Sequence, residues 1–161
     1  IGAMIAMIEG LGVAVDEHAG QTVQHRSRVR VDPSQPNLRQ VHLLHSELLD
    51  ELGGLGFQIK PGDLGENILT KGLDLLALPR ASVLEIGPDT RLEVTGLRNP
   101  CNQIEAFQRG LLAAVLTRDV TGKPIRKAGV MAIVLSGGEV QIGDRIGVRL
   151  PAKPHHSLEP V

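Results

Sequence analysis

Nineteen glycines and ten prolines in 161 residues divide the apolar content of this chain into runs too short for a helical bundle. Glycine allows backbone conformations that other residues avoid, and proline neither donates to a ladder nor continues a helix. Punctuation this dense belongs to short strands joined by turns. Apolar runs predict strands near residues 4–8, 28–31, 40–43, 67–69, 83–86, 91–95, 129–135 and 145–150. Eight short strands suit a mainly β domain, a closed or partly open β-barrel with a few short peripheral helices. Gly137-Gly138 and Gly143-Asp144 are turn signals beside the last strands and predict an antiparallel closing pair there. Helical spacing occurs twice. Leu44, Leu48 and Leu52 fall four apart around a helix expected at about 46–52, and Ile104, Phe107, Leu111 and Val115 mark one at about 102–117. Each has one apolar face and is expected on the outside of the sheet. A parallel α/β sheet would need more helices.

The length corresponds to one domain able to bury its own core, and the stretch 151–161, with Pro151, Pro154 and Pro160, reads as a loosely held tail. Seventeen basic and eighteen acidic side chains leave a net charge of -1, too little to attract nucleic acid or an anionic membrane by a global field. Two Phe and no Trp or Tyr remove stacking platforms for bases. The opening apolar run 1–8 has no basic residue before it and meets Glu9 at once. It reads as a first strand rather than a signal peptide or membrane span. A single cysteine excludes an internal disulfide, a self-contained iron-sulfur cluster and a Cys-rich zinc site, and fits a reducing cytoplasm.

That residue, Cys101, ends the run Thr95-Gly96-Leu97-Arg98-Asn99-Pro100-Cys101, where a strand pattern gives way to a helix pattern. A sulfur at such a junction faces unpaired backbone N–H groups, the positive end of a helix dipole and the nearby Arg98. All three favour thiolate over thiol, which makes the sulfur a nucleophile or a soft metal ligand. The competing reading is a small buried hydrophobe, since free cysteine is among the most buried residue types.

Other clusters admit two readings as well. Arg26, Arg28 and Arg30 share one face of an extended run, and this row, with Arg39 added, can seat a phosphate or form a solvated edge strand. Asp16 and His18 lie two positions apart and point the same way on an extended segment, suited to proton delivery or ligand positioning if they are not ordinary surface groups. His42 and His45 near Glu47 suggest metal ligation, but with unspecific spacing. Pro61-Gly62-Asp63-Leu64-Gly65-Glu66-Asn67 is a ligand-contacting loop or a tight barrel corner. Gly10 to Val15 mimics half a dinucleotide fingerprint, but Val15 replaces the third glycine. Walker A, nucleophile-elbow and zincin motifs are absent from the sequence.

Taken in order, these pieces resemble a MOSC domain of the small stand-alone bacterial type, the module named after the C-terminal part of molybdenum cofactor sulfurases. The matching parts are Gly12 to Gly20 with its Asp-x-His, Arg39-Gln40-Val41 followed by Glu47-Leu48, Pro61 to Asn67, Gly72-Leu73-Asp74-Leu75, Arg98-Asn99-Pro100-Cys101, and Gly143-Asp144-Arg145-Ile146. They follow the family order over about residues 10 to 150. One departure is Val15, where the family usually carries glycine.

The resemblance implies a barrel-like fold and use of the molybdenum cofactor (Mo-molybdopterin). In amidoxime-reducing and hydroxylaminopurine-resistance relatives, the cysteine matching Cys101 ligates molybdenum, and N-hydroxylated compounds are reduced to amines. By that resemblance the chain is expected to be an oxidoreductase acting on N-hydroxylated bases or related N–O compounds, with Cys101 as metal ligand. Arg26, Arg28 and Arg39 are expected to hold the pterin phosphate, with Arg98 beside the thiolate. Asn67 and Asn99 would donate hydrogen bonds to the cofactor, and Asp16 or His18 would relay a proton. Without a flavin domain or iron-sulfur thiols, electrons are expected from a separate partner protein. The alternative is a non-redox carrier, in which Cys101 holds a persulfide or the cofactor passes through. No pyridoxal-phosphate domain is read in the sequence, so a complete sulfurase is not expected. A third reading is a barrel that binds without a cofactor.

Overall fold

The computed structural model describes residues 4–8, 12–13 and 38–161. Its strands are β1 (Met4–Ile8), β2 (Gly12–Val13), β3 (Val41–His45), β4 (Ile68–Thr70), β5 (Val83–Ile86), β6 (Thr90–Leu97), β7 (Leu116–Arg118), β8 (Pro124–Arg126), β9 (Val130–Ser136), β10 (Gly138–Gln141) and β11 (Ile146–Arg149). Helices α1 (Ser46–Gly54), α2 (Asn102–Phe107) and α3 (Leu111–Val115) and a 3-10 turn at Leu75–Ala77 lie between them. Six strands form the main sheet in the order β11-β5-β6-β9-β3-β4, antiparallel except between β3 and β4. This sheet curls into a half-barrel that is partly open. A second sheet has the order β10-β1-β2, and β7 pairs with β8. The strand expected near 28–31 lies outside the described residues.

Two-residue alternation decides what each face of the main sheet meets. Val41 and Leu43 of β3, Leu84 and Ile86 of β5, Leu92 and Val94 of β6, and Val130, Ala132 and Val134 of β9 enter the main core. Leu44 belongs to a second core with Leu48 and Leu52 of α1 and with Ile104, Leu111 and Val115. Each fully buried leucine stabilises this arrangement by about 1.5–3 kcal/mol, which holds the helices against the outer face.

Two expectations are corrected. The helical pattern over 102–117 does not form one helix: Gly110 takes a left-handed backbone, φ +88, and divides it into α2 and α3 before the chain enters β7. Glu105 caps the restart, accepting the Gly110 N–H at 3.0 Å and the Leu112 N–H at 3.2 Å. The break turns Phe107 outward while Ile104, Leu111 and Val115 stay buried. The last strands also do not pair with each other. β9, the strand expected at 129–135, pairs with β3 and β6, β10 pairs with β1, and β11 returns to β5. Val140 and Ile146 thereby reach the main core from different sheets, with Gly143 at φ +92 making the turn between them.

The stretch 151–161, expected to be loosely held, is anchored at several points. Leu158 is buried in the main core, and the Arg80 N–H donates to His156 O at 2.8 Å. Pro160 forms a parallel bridge with Leu97, whose N–H donates to Glu159 O at 2.8 Å, while the Val161 N–H donates to Leu97 O at 3.2 Å. Gly96 makes this approach possible, because a Cβ there would collide with the Glu159 carbonyl oxygen and lie 2.5 Å from Val161 Cγ1. Gly96→Ala should therefore eject residues 158–161, lowering stability by about 1–3 kcal/mol in urea denaturation. It should also speed amide exchange at Leu97 and Val161.

Candidate functional site

Beyond β6 the chain continues as an arm. The Arg98 N–H still donates to Gly129 O at 3.0 Å, extending the ladder with β9 by one residue. Pro100 is buried and Cys101, in extended conformation, caps α2, its carbonyl accepting the Ile104 N–H at 3.0 Å. The cysteine side chain itself is exposed. Its sulfur has one long contact, 3.9 Å to Gln103 Oε1. The reading of Cys101 as a small buried hydrophobe therefore does not hold.

Arg98 ties this arm to the loop 61–67. Its side chain is largely buried and donates through Nη1 to the Leu64 carbonyl. Burial pulls its pKa down, while negative charge at Cys101 and at Glu66 pulls it back up. A guanidinium stays protonated across the working pH range, so a fixed positive charge stands beside the thiol. On the loop, Glu66 Oε2 accepts the Gly62 N–H at 2.7 Å. Its Oε1 is buried and has no hydrogen-bond partner among the described residues. On the other flank, exposed Asn99 accepts a hydrogen bond from Arg126 Nε at 3.1 Å.

Of the residues singled out from the sequence, Arg98, Asn99 and Cys101 come together on this arm. Asn67 begins at the far end of the same loop, where its N–H donates to His42 O at 2.9 Å and its Oδ1 accepts the His42 N–H at 2.8 Å. Arg39 precedes β3, whereas Cys101 follows β6. The shared partner β9 shows that β3 and β6 run in the same direction, so these two residues stand toward opposite ends of the sheet. Asp16, His18, Arg26 and Arg28 lie outside the described residues. Glu66 and Arg126 were not singled out. Glu66 sat within a recognised loop, but nothing in the sequence distinguishes a carboxylate oxygen left without a donor, and Arg126 reaches the arm only through the β7–β8 hairpin.

His42 and His45 do not form a metal pair. His42 Nε2 lies 2.6 Å from Ala128 O, a contact inside the protein. His45 instead lines a cleft of about 300 Å³ with Glu47, Gly72, Leu73 and Asp74. Burial lowers the His45 pKa against the opposing pull of Glu47, Asp74 and Glu51. The Gly72 N–H, 2.9 Å from Glu47 Oε2, holds that carboxyl below its usual range. Among the described residues, no group of three His, Cys, Asp or Glu side chains is arranged to hold a metal ion. None of the described helices is long and apolar enough to cross a membrane.

Comparison with known proteins agrees with this architecture. The family model for the MOSC domain matches residues 25–147, and the chain belongs to that family. Among solved structures it is similar to the YUAD protein from Bacillus subtilis, with 28% identity, a TM-score of 0.71, and coverage of 91% of this chain and 84% of that one. It also shares its fold with YiiM from Geobacillus stearothermophilus, at 20% identity and TM-score 0.60, covering 74% of this chain and 58% of that one. YiiM from Escherichia coli shares the fold at 15% identity and TM-score 0.64, covering 97% of this chain and 67% of that one. No curated protein matches the chain.

Two outcomes follow from these side chains. Arg98→Gln should cost about 1–3 kcal/mol in urea denaturation, because it removes a buried charge-assisted donor from Leu64. For His45, the folded-state pKa lies below the ordinary 6.5, so the unfolded chain takes up the proton first. Stability from this group is complete at higher pH and is lost as pH falls through about 6.5, levelling once the folded-state pKa is passed. His45→Gln should flatten that part of the slope when urea midpoints are compared from about pH 7.5 down to about pH 5.

Proposed function

We propose that this MOSC-domain protein holds the molybdenum cofactor through Cys101 and reduces N-hydroxylated bases or related N–O compounds to amines. The observation that carries the reading is an exposed thiol on the arm that follows β6, three residues after Arg98, whose guanidinium binds the Leu64 carbonyl. The residues fit such a group. A thiolate is a strong donor for a soft metal, Arg98 and Arg126 supply positive charge, and Glu66 Oε1, which has no partner among the described residues, can accept an N–H from a nitrogen-rich ligand.

In this reading Cys101 Sγ ligates molybdenum, and Arg98 and Asn99 hold the cofactor beside it. Arg26 and Arg28 bind the pterin phosphate, and Asn67 adds a hydrogen bond. When bound, the molybdenum cofactor would supply two-electron redox chemistry. The chain's own work is positional. The β6–β9 ladder and the cap of α2 hold the backbone that carries the sulfur. Conversion of an N–OH group to N–H consumes two electrons and two protons and releases water. Asp16 or His18 delivers a proton, and the electrons come from a separate donor protein.

Metal analysis tests the proposal on protein purified from cells that make the cofactor. One molybdenum per chain is expected, lost in a folded Cys101→Ala variant together with reduction of an N-hydroxylated base. Arg26→Ala combined with Arg28→Ala should weaken retention of molybdenum on gel filtration. Sulfane sulfur on Cys101 in place of molybdenum would overturn the reductase and assign a carrier.

A further inference from the structure

A buried carboxylate oxygen without a donor is destabilising, because the charge has left water and gained no hydrogen bond in exchange. Glu66 carries such an atom. Its Oε2 is engaged by the Gly62 N–H, while Oε1 has no partner among the described residues. The loop gives the side chain little freedom to seek one. Gly62 holds a left-handed turn at φ +90, and Leu64 is buried with its carbonyl bound by Arg98. Arg98 acts on Glu66 through its field rather than through a hydrogen bond, and acts on Cys101 in the same way. The same guanidinium binds the carbonyl of Leu64, two residues before Glu66, and stands three residues before Cys101 in the chain.

We infer that Glu66 Oε1 is a recognition atom for the ligand that comes to Cys101, accepting an N–H from an amidine-type edge. Such an edge is the N–C–N unit with outward N–H groups found in amidines, guanidines and aminopyrimidine rings. It presents the donor that Oε1 lacks, and a carboxylate binds it through a charge-assisted hydrogen bond. An anionic edge would be repelled there and falls to Arg98 and Arg126 instead. The inference rests on the proposed function for the identity of its ligand, since an N-hydroxylated base and a pterin both carry this edge. Its physical basis, the unpaired oxygen, is independent of that reading.

Glu66→Gln keeps the shape of the side chain and removes its charge. In the cofactor-free full chain, titration with benzamidine followed by NMR should show the dissociation constant rising by about tenfold in this variant. Glu66→Asp, which keeps the charge and withdraws the oxygen, should weaken benzamidine binding in the same direction. In cofactor-loaded protein, loss of molybdenum from Glu66→Gln places the edge on the cofactor. Full molybdenum with a raised KM and an unchanged kcat for benzamidoxime places it on the substrate. Equal benzamidine affinity in wild type and Glu66→Gln would overturn the inference. Absence of molybdenum from the wild type defeats the proposed function, while the benzamidine titration still decides this one.

Discussion

Strand β6 is closed along both edges, and by different partners at different heights. Along one edge β9 follows it to Leu97, with a register shift between Val94 and Gly96 that turns Thr95 aside. The displaced Thr95 hydroxyl donates to carbonyls of Leu38 and Met131, so the irregularity leaves no polar group adrift. Along the other edge β5 stops at Glu93, Ser82 and Ala81 take over around Val94, and residues 159–161 take over at Leu97. Without the last of these, the Leu97 N–H and carbonyl would lose their partners at the point where the strand becomes the arm. The backbone pairing at the root of the arm that carries Cys101 thus depends on a contact between residues about sixty positions apart in sequence.

A buried guanidinium is a heavy demand on a small domain, since desolvation opposes its charge. Arg98 meets that demand with a carbonyl from the loop and with two groups that carry or can carry negative charge. The consequence reaches beyond stability. One side chain connects an exposed sulfur on β6's extension to a carboxylate on a loop that precedes β4. Sulfur and positive charge thus share the arm that follows β6, while the carboxylate belongs to the loop that Arg98 ties to it.

The sequence pattern disclosed a good part of this. Glycine and proline spacing showed short strands, and the observed β5, 83–86, coincides with the stretch read from its apolar run. Leu44, Leu48 and Leu52 predicted α1 and its buried face because they repeat at the period of a helix. Cys101 stood out because a strand pattern ends there and a helix pattern starts. Periodicity failed at Gly110, where the same apolar spacing continues through a backbone break, and it failed for β7, β8 and β10, which are short and mostly half-exposed or exposed.

Local chemistry in the sequence therefore determined the mainly β character, the family resemblance and the candidacy of Cys101, because turn residues and apolar periods act over a few neighbours. Tertiary structure alone decided that the sulfur is exposed, that Arg98 is half-buried against Leu64, that Glu66 Oε1 has no hydrogen-bond partner among the described residues and that the C-terminal residues brace Leu97. Each of these depends on which distant backbone groups become neighbours when the sheet curls. No local pattern encodes that partnership, since burial and hydrogen-bond pairing are properties of the assembled core.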